Sequence, residues 1–329
     1  MTNLETQYLG LKLKNPLVAA SSGLTGSIDK IKELEEAGIG AVVLKSIFEE
    51  QINNEVGFLI NNDIQNSSYP EAEDYIRNYI RNNSVVQHLK LLEELKKKSG
   101  IPVIASINCI TAAEWTTFAR DFGEAGADAL EFNIFHVPVD RNLRPGVVEQ
   151  QYVDILSNIA GKVKIPVSVK IGSYFSNIIG MVDKLKANGA SGVVMFNRFY
   201  EPDIDLEKLE FSSGEVFSSP ADFTRTLRWV GLVSSSVPNI DIAASSGIHN
   251  GDSVIKMMLA GAKAAQLCST LYLNGAKVIP QILNDLSSFM ETWNFDTIDD
   301  FRGRLSYKNI PDPVIYERSQ FMKYFSDHK

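Results

Sequence analysis

Four stretches of this chain repeat one plan. Residues 36–44 (EAGIGAVVL), 124–132 (EAGADALEF), 187–195 (ANGASGVVM) and 259–267 (LAGAKAAQL) each follow a helical run such as SIDKIKELEEAG at 27–38. The glycines at 38, 126, 189 and 261 fall where a helix C-cap needs a left-handed residue, and the small residues after them let the chain turn at once into an apolar strand. Repetition of the joint makes an alternating helix–strand chain a stronger reading than unrelated turns. Four more apolar runs lie between the copies: NPLVAAS at 15–21, IPVIASI at 101–107, IPVSVKI at 165–171 and IDIAASSGI at 240–248. They run on without strict polar alternation, as parallel strands covered on both faces do.

The eight strands end near Ser21, Lys45, Ile107, Asn133, Ile171, Asn197, Ser246 and Ser269. Eight strands alternating with helices predict a (β/α)8 TIM barrel, one domain over residues 1–329, with a doubly wound sheet as the alternative. TQYLGLKLKNP at 6–16 predicts an N-terminal β-hairpin able to plug the barrel floor. The long spacings 49–100, 135–160 and 198–238 read as insertions at the strand C-terminal face, placed to cover a site there.

Formal net charge is −8 and no basic stripe occurs, which argues against nucleic acid or an anionic membrane as partner. Cys109 and Cys268 form no CxxC pair, against a disulfide scaffold or structural zinc. Reduced thiols, an N-terminus without a signal-peptide pattern and the lack of a bilayer-length apolar run point to the cytoplasm.

Catalytic groups of such a barrel sit at the strand C-terminal ends. Those ends carry Ser21 and Ser22, Lys45, Ser106 and Asn108, Asn133, Lys170, Asn197, the turn SSGIHNGD at 245–252 and CST at 268–270. No carboxylate pair is present for glycosidase chemistry, and no His/Asp/Glu cluster for a catalytic metal. The small-residue turn around Ser246 and Gly247 opens a helix at Asp252 or Ser253, where backbone N–H groups can face an anion. Ser269 and Thr270 add small donors beside it. Lys45 and Lys170, closing apolar strands, would point into the mouth, where the cost of desolvating a charge calls for an anionic partner. Asn133 and Asn197 each offer a donor and an acceptor to a planar ring.

The order NPLVAASS, VVLKS, NSS, ASIN, LEFNI, VSVKIGSYFSN, MFNRF, SSGIHNGDSVIKMMLAGAKAAQLCSTL and IDDFRGRLS resembles the dihydroorotate dehydrogenase family from about Tyr8 to Ser306. The resemblance implies FMN at the barrel mouth and oxidation of dihydroorotate to orotate in pyrimidine biosynthesis. It implies Lys170 at the N1/O2 edge of the flavin and a phosphate site around Ser246, Gly247, Ser269 and Thr270. Ser21, Ser22 and Ser106 match positions along the ring and ribityl chain. Lys45, Asn66, Asn133 and Asn197 match the substrate-binding groups, with Lys45 and Asn133 meeting the flavin as well. The chain departs from the family in the stretch NIFHVPVD, where the proton-abstracting Cys or Ser is replaced by His136. Imidazole titrates near neutrality and can take a proton, so His136 as base and His136 as a loop residue both stand open. A cytoplasmic homodimer is the simplest assembly. Two alternatives remain: an FMN oxidoreductase acting on another small cyclic substrate, and a barrel that binds flavin or a phosphorylated ligand without redox turnover.

Overall fold

The structure is a computed structural model and describes residues 2–48, 70–109, 115–134, 136–198 and 201–317. Strands β3 (Leu17–Ala19), β4 (Ala41–Val43), β6 (Val103–Cys109), β7 (Ala129–Ile134), β8 (Val167–Ile171), β9 (Gly192–Met195), β12 (Asp241–Ser245) and β13 (Ala264–Leu267) pair in parallel in that circular order. Pairing of β13 with β3, and of β4 with both β3 and β6, closes the barrel. The expected (β/α)8 barrel is therefore present, and the doubly wound alternative is excluded by closure.

Each of the four repeated joints has the conformation its glycine predicts. Gly38, Gly126, Gly189 and Gly261 all have φ between +97° and +112°. In each, the following amide (Ile39, Ala127, Ala190, Ala262) donates to the carbonyl five residues back, the helix-ending bond of the Schellman motif. The chain thereby leaves each helix already aimed along the next strand.

The N-terminal hairpin, β1 (Thr6–Tyr8) with β2 (Leu11–Leu13), is antiparallel. Tyr8, Leu9 and Leu13 are buried against Val18, Ala41, Val43, Ile104, Ala129, Val194, Ala243 and Ala264. These eight residues are the inward-facing positions of the barrel strands, so the hairpin seals the floor as expected. The outward-facing positions, such as Val167, Val169 and Ile171, pack against the helices in a second and larger core.

The second barrel strand is broken. After β4 the chain departs from strand geometry at Leu44–Ser46 and resumes as β5 (Ile47–Phe48), paired higher up on β6. Of the long spacings, 198–238 holds an exposed hairpin, β10 (Pro202–Asp205) with β11 (Glu210–Ser213), and helix α6 (Phe223–Ser236). The spacing 49–100 holds helix α2 (Pro70–Lys98), and 135–160 a loop leading to α4 (Val147–Ala160). Among the described residues no helix is long and apolar enough to cross a membrane.

Candidate active site

Strand alternation decides which polar residues meet. On β8, Ser168 and Lys170 alternate with the outward Val167, Val169 and Ile171, so the lysine points into the barrel and is 8% exposed. It lines a cavity of about 200 Å3 at the mouth with Ser21, Asn197, Gly247, Cys268 and Ser269. Lys170 Nζ donates to Gln266 Oε1 at 3.3 Å.

From the ends of the two strands that flank β8, Asn197 Nδ2 donates to Asn133 Oδ1 at 2.8 Å. That bond fixes one amide by the other and leaves the Asn133 amide nitrogen and the Asn197 carbonyl for a ligand. Three hydroxyls span the ends of the first three barrel strands. Ser21 Oγ lies 2.9 Å from Ser46 Oγ, which lies 2.6 Å from Ser106 Oγ.

The turn after β12 has an anion-binding shape. Ser246 and Gly247 both have positive φ, +79° and +73°, and among the described residues the amides of 246–248 donate no backbone hydrogen bond. The Ser246 hydroxyl donates to the Phe196 carbonyl at 3.1 Å. The amides of Ser269 and Thr270 open helix α8 (Ser269–Asn274) and so have no acceptor within it. Helix α7 (Gly251–Ala260) differs from expectation. Its N-terminus is capped by the Asn250 side chain, which accepts from the Ser253 amide. The donors facing the cavity are thus the turn amides and the start of α8.

Gly247 cannot carry a side chain. A Cβ there would lie 2.3 Å from the Phe223 backbone nitrogen and 2.6 Å from its Cα, at the start of α6. Gly247→Ala is expected to destabilise the fold by about 2–5 kcal/mol, combining overpacking with left-handed strain. Gly275→Ala isolates the strain, because Gly275 has φ +71° but open space at its Cβ. Urea denaturation of both variants checks the difference.

The cavity gathers Ser21, Lys170, Asn197, Ser246, Gly247 and Ser269 from the predicted set. Asn133 and Ser106 adjoin it through the hydrogen bonds above. Ser22 caps the 3-10 turn Gly23–Thr25, and the Thr270 hydroxyl donates to the His249 carbonyl. Lys45 is not among the residues lining this cavity. It lies in the break between β4 and β5, exposed, with its stem over Gly26. The inward place at that break is taken by Ser46, 2% exposed. His136, half-buried, lines a neighbouring cavity of about 400 Å3 with Arg144, Tyr152, Tyr174 and Phe175. A smaller cavity lined by both Tyr174 and Asn197 lies between the two. Asn66 lies outside the described residues.

Sequence reasoning missed Ser46, Glu131, Gln266 and Arg198. Arg198 donates to the carbonyls of Glu215 and Val216 at 2.7 and 2.8 Å and ties the segment after β11 over the mouth. The thiol of Cys268, lining the cavity, is pushed up by burial, with Lys170 and Ser22 opposing. It is therefore held as a thiol and not as a nucleophilic thiolate.

Fold and cavity together define a (β/α)8 barrel whose polar mouth sets a buried cation and an amide pair beside a turn with free backbone amides. A family model described as dihydroorotate dehydrogenase matches residues 3–290, and the chain belongs to that family. It is 28% identical to a dihydroorotate dehydrogenase B (NAD(+)) catalytic subunit of Thermoplasma acidophilum, over 92% of this chain and 99% of that protein. It is 26% identical to a dihydroorotate dehydrogenase A (fumarate) of Limosilactobacillus reuteri, over 90% and 97%.

Proposed function

We propose that the protein is an FMN-dependent oxidoreductase that converts dihydroorotate to orotate. The observation that carries this reading is the buried Lys170 on β8, flanked by Asn133 on β7 and Asn197 after β9, in a cavity shared with the turn at 246–248. The residues present fit FMN. The free turn amides, the start of α8 and the cradle that only Gly247 permits suit the phosphate. The hydroxyls of Ser21, Ser46 and Ser106 suit polar ring or chain atoms.

Bound flavin supplies the hydride acceptor for oxidation of the substrate C–C bond. Lys170 holds positive charge where negative charge grows on reduction. The linked amides of Asn133 and Asn197 orient the substrate ring. His136 takes the proton from the second ring carbon. The Cys268 thiol is kept protonated by burial and does not compete for that step. One observation favours a second reading. Because His136 lines the adjacent cavity, a cyclic substrate larger than dihydroorotate would span both.

Anaerobic mixing with dihydroorotate tests the choice. Bleaching of flavin absorbance supports the first reading. Flavin that stays oxidised with dihydroorotate, but bleaches with a bulkier cyclic substrate, supports the second. Flavin that no such compound reduces removes both.

A cytoplasmic homodimer belongs to the same proposal, and the β10–β11 hairpin supports the dimer. Ile204, Leu206, Leu209 and Phe211 are all exposed on it, an apolar patch of the sort that marks an interface. Phe211→Arg is expected to yield monomers by light scattering after gel filtration.

A further inference from the structure

The barrel interior beneath Lys170 is not apolar throughout. Gln266 accepts from Lys170 Nζ through Oε1, and its Nε2 donates to Glu131 Oε2 at 2.5 Å. Glu131 is 1% exposed. It sits in register with Ser106 on β6 and Ser168 on β8. Its other oxygen, Oε1, has no hydrogen-bond partner among the described residues. The Tyr8 hydroxyl of the floor hairpin has none either. A carboxylate this deeply buried is costly unless a cation or hydrogen bonds compensate it. The cation facing it is Lys170. Burial leaves the Glu131 carboxyl raised on balance, with Lys170 and then the Gln266 bond opposing it. Tyr8, the titratable group facing it from below, is raised by its own burial and then by Glu131, and so stays neutral.

The bridge has a polarity. Turning the Gln266 amide over would set its N–H groups against the ammonium and its carbonyl against the carboxylate, both repulsive. The two charges therefore fix the amide, and the amide fixes the ammonium. None of this is needed to fill the barrel, because an apolar residue of similar size at 131 would remove the orphaned oxygen.

We infer that Glu131 is a positioning residue: through Gln266 it holds the Lys170 ammonium down in the barrel and offsets part of its charge, and so lowers the reduction potential of the flavin. The inference rests on the flavin reading above. It goes beyond it in assigning a task to a side chain that touches neither cofactor nor substrate.

Potentiometric titration of the flavin in the purified holoprotein is the test, read beside thermal unfolding. Glu131→Gln keeps the shape and removes the charge. It should favour the reduced flavin about tenfold, a rise of ~30 mV for a two-electron couple. Gln266→Met cuts the bridge and frees the ammonium to move toward the mouth, so the potential should rise there too. Glu131→Asp keeps the charge and should return the potential toward that of the wild type. A merely structural role would lower the unfolding temperature and leave the potential where it was. Flavin-loaded Glu131→Gln and Gln266→Met with wild-type or lower potentials would overturn the relay and leave the flavin reading intact. Wild-type protein that binds no flavin would overturn both. If Glu131→Gln does not fold, Gln266→Met decides alone.

Discussion

Lys170→Ala is expected to slow reduction of the bound flavin by dihydroorotate about 10²- to 10³-fold, the usual cost of deleting one preorganised electrostatic group. The size follows from the setting. The ammonium is nearly out of contact with water, so its field is weakly screened. The charge is also part of a balanced pair. Without it the Glu131 carboxylate has no cation facing it and takes up a proton, which removes the counter-charge as well. Stopped-flow absorbance of the half-reaction measures the rate, and the flavin content of the purified variant measures binding. Lys170→Arg should not restore the wild-type rate, because a planar guanidinium cannot occupy the place of a compact ammonium above Gln266. A Lys170→Ala variant with wild-type flavin content and wild-type rate would remove Lys170 from the site.

His136→Ala is expected to slow the same half-reaction by at least about 10²-fold, the low end for general-base catalysis. Structure and chemistry pull in different directions here. The residue follows β7 by two positions and is the group suited to the step, yet it faces the cavity lined by Arg144 and Tyr174, not that of Lys170. An unchanged rate would return His136 to the status of a loop side chain. A loss specific to a bulkier substrate would show that both cavities are used at once.

The frame of the molecule was legible in its sequence because two strong local signals coincide. Gly38, Gly126, Gly189 and Gly261 mark the helix ends, and continuous apolar runs follow them. The floor hairpin was legible for a similar reason: Leu9 and Gly10 both adopt positive φ between two strands of three residues. The site was only partly legible. Residues at the very ends of strands, such as Lys170 and Asn197, stood out by position. Glu131 and Gln266 lie one pleat deeper, inside runs that read as apolar, and a polar residue there gives no local sign of whether it faces helices or barrel interior. Their partners are 135 positions apart in the chain and meet only when the barrel closes. Lys45 shows a different limit. A regular strand would bury it inward, but the break after Val43 leaves it exposed and buries Ser46, and no proline or glycine at 44–46 announces that break.

The hairpin under the barrel has a consequence for traffic. Tyr8, Leu9 and Leu13 cork one end, so everything that enters must use the other. For the proposed reaction, reductant and oxidant share one doorway and must take turns in it. Steady-state kinetics should accordingly be ping-pong, with parallel lines in double-reciprocal plots, and each of the two reactants should inhibit the other's half of the cycle at high concentration.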